Sequence, residues 1–135
     1  MKEYVIDTNI TSFVLRSKSE AVLYQPYLKG ATLYLSFQTV AELKQGALKD
    51  DWGPRRMQEL EAYLSGLSVV HSSNALISQW ASVMEDARRA GHRLEAADAW
   101  IAATARLYNI PLITHDKDFS PEACPSIEVI CHAPE

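Results

Sequence analysis

Glycine and cysteine are both scarce in this sequence of 135 residues, and each shortage removes a class of site. Its five glycines form no phosphate-cradling loop, and the Gly-x-Ser-x-Gly elbow of serine hydrolases is absent. Cys124 and Cys131 are too far apart for a Cys-x-x-Cys motif. We therefore expect two ordinary thiols, with neither a disulfide framework nor a zinc site.

Excess positive charge and long apolar runs are lacking as well. The net charge of -4 argues against a general nucleic-acid binder, although it is compatible with an enzyme whose acids gather in one site. No apolar run approaches the roughly 20 residues that span a membrane. The acid within residues 1–4 is untypical of a signal peptide. We expect a cytoplasmic protein without membrane contact, folded as one domain over residues 1–135.

Strand-like segments alternate with helical ones, which is typical of a parallel sheet covered by helices. The predicted strands are 1–6, 32–35, 67–70, 110–113 and 127–130. Helices are predicted from Ile10, over 20–29, after Ser36, from Pro54, over 74–90 and around Asp98 as far as Asn109. The predicted fold class is α/β, with a central, mainly parallel sheet between two helical layers.

Asp98 lies where helical periodicity opposes a charge. The residues three, four and seven positions further on are Ile101, Ala102 and Ala105, so Asp98 shares an apolar helix face. Burying an unpaired carboxylate costs roughly several kcal/mol. Asp98 is therefore a candidate functional residue. Its structural alternative is a buried ion pair with one of three arginines, Arg88, Arg89 or Arg93.

Three further acids follow predicted strands. Asp7 comes directly after the first strand, Glu42 comes soon after the second, and Asp116 follows 110–113. Ligand groups in open α/β sheets collect just beyond the carboxyl ends of strands. Taken singly, these residues have ordinary explanations: a helix cap, a solvated helix acid and a polar turn. Taken together, they predict an acidic site.

Four motifs resemble those of the PIN-domain ribonucleases, and among them the VapC-type toxins of prokaryotic toxin–antitoxin pairs. The motifs are Val5-Ile6-Asp7-Thr8-Asn9, Val40-Ala41-Glu42-Leu43, the segment 98–105 and the segment 112–119. The resemblance implies a three-layer PIN-like sandwich and a catalytic metal site made of Asp7, Glu42, Asp98 and Asp116. It also implies that Thr8 and Thr114 lie beside the site as substrate-binding hydroxyls, with Asp118 in a supporting position.

The function implied by the resemblance is a metal-dependent endoribonuclease, a hydrolase that acts on RNA as a toxin. Carboxylate oxygens suit Mg²⁺ or Mn²⁺ better than zinc. The implied partners are RNA, a cognate antitoxin and a second copy in a homodimer. The alternative is a PIN-like binding module with little or no nuclease activity. A haloacid-dehalogenase-like enzyme is disfavoured because Asn9 stands where that group needs a second aspartate.

Three further features concern the surface. Arg88, Arg89 and Arg93 form a basic cluster that either complements a helix C-terminus or guides RNA, and His115 is expected to be a surface histidine. The early helices carry more apolar residues than one sheet face needs, which predicts a dimer interface. These residues are Tyr24, Tyr27, Leu28, Leu60, Tyr63 and Leu64.

Overall fold

The computed structural model describes residues 2–135 and has a five-stranded sheet at its centre, with all neighbouring strands parallel. The strands are β1 (Glu3–Ile6), β2 (Thr32–Ser36), β3 (Ser68–Val70), β4 (Leu112–Ile113) and β5 (Val129–Ile130). Their spatial order is β3-β2-β1-β4-β5. Met1, predicted to begin the first strand, lies outside the described residues.

Among residues 2–135, six α-helices accompany the sheet. They are α1 (Thr8–Leu15), α2 (Gln25–Leu28), α3 (Phe37–Lys49), α4 (Pro54–Ser65), α5 (Asn74–Arg89) and α6 (Ala96–Tyr108). Pro54 and Ser36 act as predicted, the first beginning α4 and the second capping α3 through its hydroxyl. No helix among residues 2–135 combines the length and the apolar character needed to cross a bilayer.

The side chains of β1 divide the interior into two cores. Val5 packs into the core that includes residues of α5 and α6, whereas Tyr4 and Ile6 pack into the core of the earlier helices. This division follows from the period of two along a strand, which sends neighbouring side chains to opposite faces. The predicted helix–sheet–helix sandwich is therefore confirmed, and the sheet is parallel throughout rather than mainly so.

Two predicted helices differ from those observed. Asp7 caps α1, so this helix begins at Thr8 and not at Ile10, because the carboxylate that ends β1 accepts the first free N–H group. The predicted helix over 20–29 is broken into a 3-10 turn, Ser19–Leu23, followed by α2. Pro26 accounts for the break because it has no N–H group to donate to the preceding turn, and proline is tolerated only in the first turn of a helix, where α2 places it.

The strand order brings the ends of three elements together. The chain leaves β1 towards β2 on one side, while β4 pairs with β1 on the other. The crevice at such a switch point, beyond the carboxyl ends of the strands, is where ligands bind in open α/β sheets. The residues that follow β1, β2 and β4 therefore share one edge of the sheet.

The early helices were predicted to have surplus apolar side chains for a dimer interface, and for half of the six residues concerned this prediction is wrong. Tyr24 and Leu60 are completely buried, and Leu64 is nearly so, because the early helices need these side chains for their own core. The large apolar side chains that are exposed include Val22 and Leu23 in the 3-10 turn and Leu48 at the end of α3.

Candidate active site

Four acids from four separate segments meet at the carboxyl edge of the sheet. Asp7 follows β1, Glu42 lies in α3 behind β2, Asp98 lies in the first turn of α6, and Asp116 follows β4. Their charges act on one another: Glu42 and Asp116 both raise the pKa of Asp7, and all three of these acids raise the pKa of Asp98. The fold therefore brings the four predicted acids within electrostatic range.

Asp7 is the most buried of the four, with 5% of its surface exposed. Its carboxylate accepts hydrogen bonds from the Thr8 N–H group at 2.7 Å, from the Thr114 hydroxyl at 2.7 Å and from the Asn9 amide at 3.3 Å. Burial raises the pKa of Asp7 to about 6, although the bonds from Thr114 and Thr8 oppose this shift. These contacts fix the orientation of the carboxylate.

Thr8 connects α1 to α3. Its hydroxyl lies 2.9 Å from a carboxylate oxygen of Glu42 and 3.1 Å from the hydroxyl of Thr39, which is completely buried. A carboxylate is the stronger acceptor, so the Thr8 proton is best donated to Glu42. In this arrangement Thr8 orients a site acid, whereas the resemblance implied that it contacts substrate.

Thr114 is likewise an orienting residue. Its side chain has no exposed surface, and its hydroxyl donates to Asp7 while accepting from the Asp116 N–H group at 3.0 Å. This buried hydroxyl contacts the site acids and not open solvent, and the substrate-binding role of Thr114 stays a prediction. The same contacts hold Asp116 beside Asp7.

Asp98 occupies the third position of α6, after the cap residue Glu95. The N-terminus of a helix favours an ionised acid at this position. Even so, burial and the charges of the neighbouring carboxylates raise the pKa of Asp98 to about 7. Ile101, Ala102 and Ala105 are buried, which confirms the apolar face predicted for this helix.

The arginine alternative for Asp98 is not observed. Arg88 and Arg89 both donate to Glu85, at N–O distances of 2.8 to 3.0 Å, while Arg93 lies 3.7 Å from Glu95. Within the described part of the chain, Asp98 has neither a cation nor a hydrogen-bond donor as its partner. Apart from the N-terminus of α6, nothing among residues 2–135 therefore compensates the charge of this half-buried carboxyl group.

Asp116 is half-buried, and its carboxylate accepts a hydrogen bond from the Asp118 N–H group at 2.9 Å. Asp118 itself is exposed, and its charge contributes to the raised pKa of Asp98. Asp118 thus stabilises the turn that carries Asp116, as expected for a supporting residue. Asp116 has fewer constraints on its carboxylate than Asp7 has.

The chemistry of these donors fits a hard divalent cation. The four side chains supply carboxylate oxygens only, and such oxygens are the ligands that Mg²⁺ and Mn²⁺ prefer. Burial first, and then repulsion between the acids, raise the pKa values of Asp7 and Asp98, and no cation among residues 2–135 contributes to these shifts. Among those residues, no three His, Cys, Asp or Glu side chains already form a compact metal-binding cluster.

Two parts of the site lay outside the sequence prediction. Asn9 connects its segments, because its amide donates to Asp7 while its carbonyl oxygen accepts from the His115 N–H group at 3.1 Å. The second part is Tyr24, whose buried hydroxyl contacts the imidazole of His115 and accepts from the His132 N–H group at 3.0 Å. His115 also meets the Phe13 ring edge-on, so the prediction of a surface histidine is wrong. Of these two parts, only Asn9 could have been suspected from the sequence, because it lies two positions after Asp7.

Comparisons with known proteins identify similar chains. The family model of the PIN domain matches residues 4–121. The chain is 26% identical over 116 residues to Ribonuclease VapC2 of Haemophilus influenzae, covering 86% of this chain and 88% of that protein. It is 31% identical over 98 residues to Ribonuclease VapC4 of Mycobacterium tuberculosis, covering 71% and 74%. The solved structure of VapBC-5 from Mycobacterium tuberculosis, a member of the VapBC family of toxin–antitoxin systems, matches with a TM-score of 0.73 and 26% identity, covering 98% of this chain and 100% of that one.

Proposed function

The chain belongs to the PIN-domain family, and we propose that it is a metal-dependent endoribonuclease that hydrolyses RNA phosphodiester bonds as the toxin of a toxin–antitoxin pair. Its similarity to VapC ribonucleases along most of its length supports the nuclease activity. The observation that carries the proposal is the meeting of four acids at one edge of the sheet, where their charges oppose one another.

The proposed ligands of Mg²⁺ or Mn²⁺ are Asp7, Glu42, Asp98 and Asp116. A bound divalent cation would supply an activated water for attack on the phosphodiester and would offset the negative charge that develops on its oxygens. The chain contributes orientation: Thr114 and Asn9 hold Asp7, and Thr8 holds Glu42. Attack by water needs no nucleophilic side chain.

The partners and the location belong to the same proposal. The similarity to VapBC-5 supports a cognate antitoxin that silences the chain in the cytoplasm. The acidic site would attract a basic side chain from such a partner, because burial and repulsion leave its carboxylates uncompensated.

A homodimer is also part of the proposal, and its interface would include the exposed Val22 and Leu23. Sedimentation velocity from 1 to about 100 micromolar should give a dimer, and Val22→Asp should shift it to a monomer. Ile77→Asp is the matched control, because it places the same charge at an exposed apolar position in α5. This variant should remain a dimer. A monomer at every concentration would exclude the dimer.

Two measurements on the purified chain test the proposed function. A calorimetric titration with Mg²⁺ or Mn²⁺ should detect binding that the Asp7→Asn change abolishes. Labelled RNA should be cut in the presence of the cation and remain intact in EDTA. Cation binding without cleavage of any RNA would instead favour the alternative, a PIN-like binding module.

A further inference from the structure

A groove beside the acidic site continues along α1. Asn9, Phe13 and Arg16 lie four and three positions apart and line one groove of about 340 Å³, so one face of α1 forms its wall. Asn9 is also a hydrogen-bond donor to Asp7. With a rise of about 1.5 Å per residue, the seven residues from Asn9 to Arg16 carry the groove roughly 10 Å from the site.

Arg16 connects this groove to a second one. The second groove, of about 370 Å³, is lined by Arg16, Arg55 and Arg56 together with Glu59. The first groove has Lys18 on its rim, where that side chain is exposed and has no ion-pair partner among residues 2–135. Four cations thus follow one continuous surface that begins at the acidic site. We call this surface the α1 strip, and its cations are Arg16, Lys18, Arg55 and Arg56.

The strip is positive although the whole chain is negative. Its four cations face three acids, namely Glu20 and Glu59 on the groove walls and Asp50 beside Arg16. The pairs that Glu59 makes with Arg55 and Arg56 are long, at 3.6 and 3.8 Å. Exposed pairs of this kind contribute little free energy, so an incoming phosphate can replace them at small cost.

Two of the guanidinium groups are already held in place. Arg56 lies over the ring of Trp52, 4.0 Å from its centroid, and Arg16 lies 5.1 Å from the same centroid. Arg16 is also fixed by Asp50 at an N–O distance of 2.6 Å. A cation over an aromatic ring keeps its N–H groups available, and less side-chain entropy is lost when a phosphate binds. These arginines are therefore arranged for a ligand with repeated negative charge.

We propose that the α1 strip binds the sugar–phosphate backbone of the RNA on one side of the cleaved bond. The inference rests on the proposed function, and it adds a substrate surface that the motifs do not contain. RNA is favoured because phosphates spaced along a strand match cations spaced along a groove that ends at the acidic site. An acidic protein segment is the competing ligand. If the strip bound such a segment instead, substitutions in the strip would leave the salt slope of RNA binding unchanged.

Binding to single-stranded RNA in EDTA tests the strip without cleavage. The Arg55→Ala, Arg56→Ala double variant should lower the slope of log K against log salt by about 1.4, since each phosphate contact on a single strand contributes about 0.7. At about 0.15 M salt, this change in slope corresponds to RNA binding that is roughly tenfold weaker in the double variant than in the wild-type chain. Lys18→Ala should lower the slope by about 0.7.

The control removes the same charge from the opposite edge of the sheet. Lys2 and Lys29 precede β1 and β2, so Lys2→Ala, Lys29→Ala changes the net charge equally but lies away from the carboxyl ends of the strands. This variant should bind RNA with the wild-type slope. With Mg²⁺ present, the arginine variant should raise KM while kcat is retained.

Each outcome separates the strip from the proposed function. If the wild-type chain cuts RNA but the arginine and control variants share its slope, the strip is not the RNA surface. If no RNA is cut by the wild-type chain in Mg²⁺, the proposed function fails, and the binding slopes still test the strip. Equal losses in the two double variants would mean that only net charge matters, which also overturns the strip.

Discussion

At the scale of single residues, Asp98 is the best probe of the acidic site, because it is half-buried and has no partner among residues 2–135. Asp98→Asn should slow RNA cleavage by about 10²-fold or more, because the loss of a metal ligand removes roughly several kcal/mol of transition-state stabilisation. The metal-free variant should melt at the same or a higher temperature, because the change removes repulsion from the neighbouring acids. A cleavage assay and a thermal melt test both parts.

The opposite result has a definite meaning. If Asp98 were paired with an arginine, the Asn variant would lose about 3–5 kcal/mol of stability. A destabilised variant that still cuts RNA would end the metal-site proposal.

Tyr24 gives a second prediction at this scale, for stability. Tyr24→Phe leaves the His132 N–H group and the His115 imidazole without their buried partner. An unsatisfied buried polar group costs about 1–3 kcal/mol, so the midpoint of urea unfolding should fall accordingly. Tyr27→Phe is the matched control. The Tyr27 hydroxyl lies 2.8 Å from the His132 imidazole, but this contact is exposed, so water can replace it. Equal losses in the two variants would contradict the importance of burial here.

At the scale of elements, the end of α5 carries a basic cluster whose charge is partly cancelled. The hydrogen bonds from Arg88 and Arg89 lower the pKa of Glu85 to about 2, so the acid is ionised at all ordinary pH values. The cluster also lies in the last turn of the helix, where cations are favoured without any ligand. Its role in RNA binding, together with that of Arg93, stays a prediction.

Glu85→Gln tests that role directly. If the end of α5 faces the RNA, freeing Arg88 and Arg89 should tighten binding and steepen its salt dependence, by about 0.7 in slope for each new contact. Glu61→Gln removes one negative charge from α4, where Glu61 pairs loosely with Lys44 at 3.7 Å, and it serves as the control. Binding by Glu85→Gln that matches this control would identify the cluster as a helix end only.

At the scale of the whole molecule, the gathered acids make stability depend on pH. The pKa values of Asp7 and Asp98 are about 6 and about 7 in the fold, whereas the ordinary value for an aspartate is 3.8. Between about pH 4 and pH 7 the folded chain therefore holds more protons on these two acids than the unfolded chain does. The protonated acids stabilise the fold fully below about pH 4, and this stabilisation is lost as the pH rises through 6 to 7. The melting temperature of the metal-free protein should fall over that range.

Added Mg²⁺ should oppose this fall. The cation binds the ionised carboxylates, so it should raise the melting temperature most at pH 7 and least at pH 4. Melts at several pH values with Mg²⁺ or EDTA measure this, and the Asp7→Asn, Asp98→Asn double variant should flatten the EDTA curve. A curve that rises with pH in the wild-type chain without metal would contradict the repulsion described here.

The order of the elements could be predicted from local patterns. Apolar runs of four to eight residues, together with Ser36 as a cap and Pro54 as a first helical residue, are local signals that act through backbone geometry. The apolar face of α6 was equally readable, because helical period alone assigns Ile101, Ala102 and Ala105 to one side. Pro26 was the overlooked local signal, since it breaks the helix predicted over 20–29.

What only the tertiary structure decided is which groups meet. Thr114 and Asp7 are 107 positions apart, yet their side chains share a hydrogen bond because β4 pairs with β1. Likewise, the groove between Arg16 and Arg56 depends on how the helices pack. Local sequence specifies the conformation of a segment, but contacts between distant segments arise from strand order and core packing. Residue types and motifs therefore identified the acids, whereas their burial, pKa values and hydrogen-bond partners came from the folded chain.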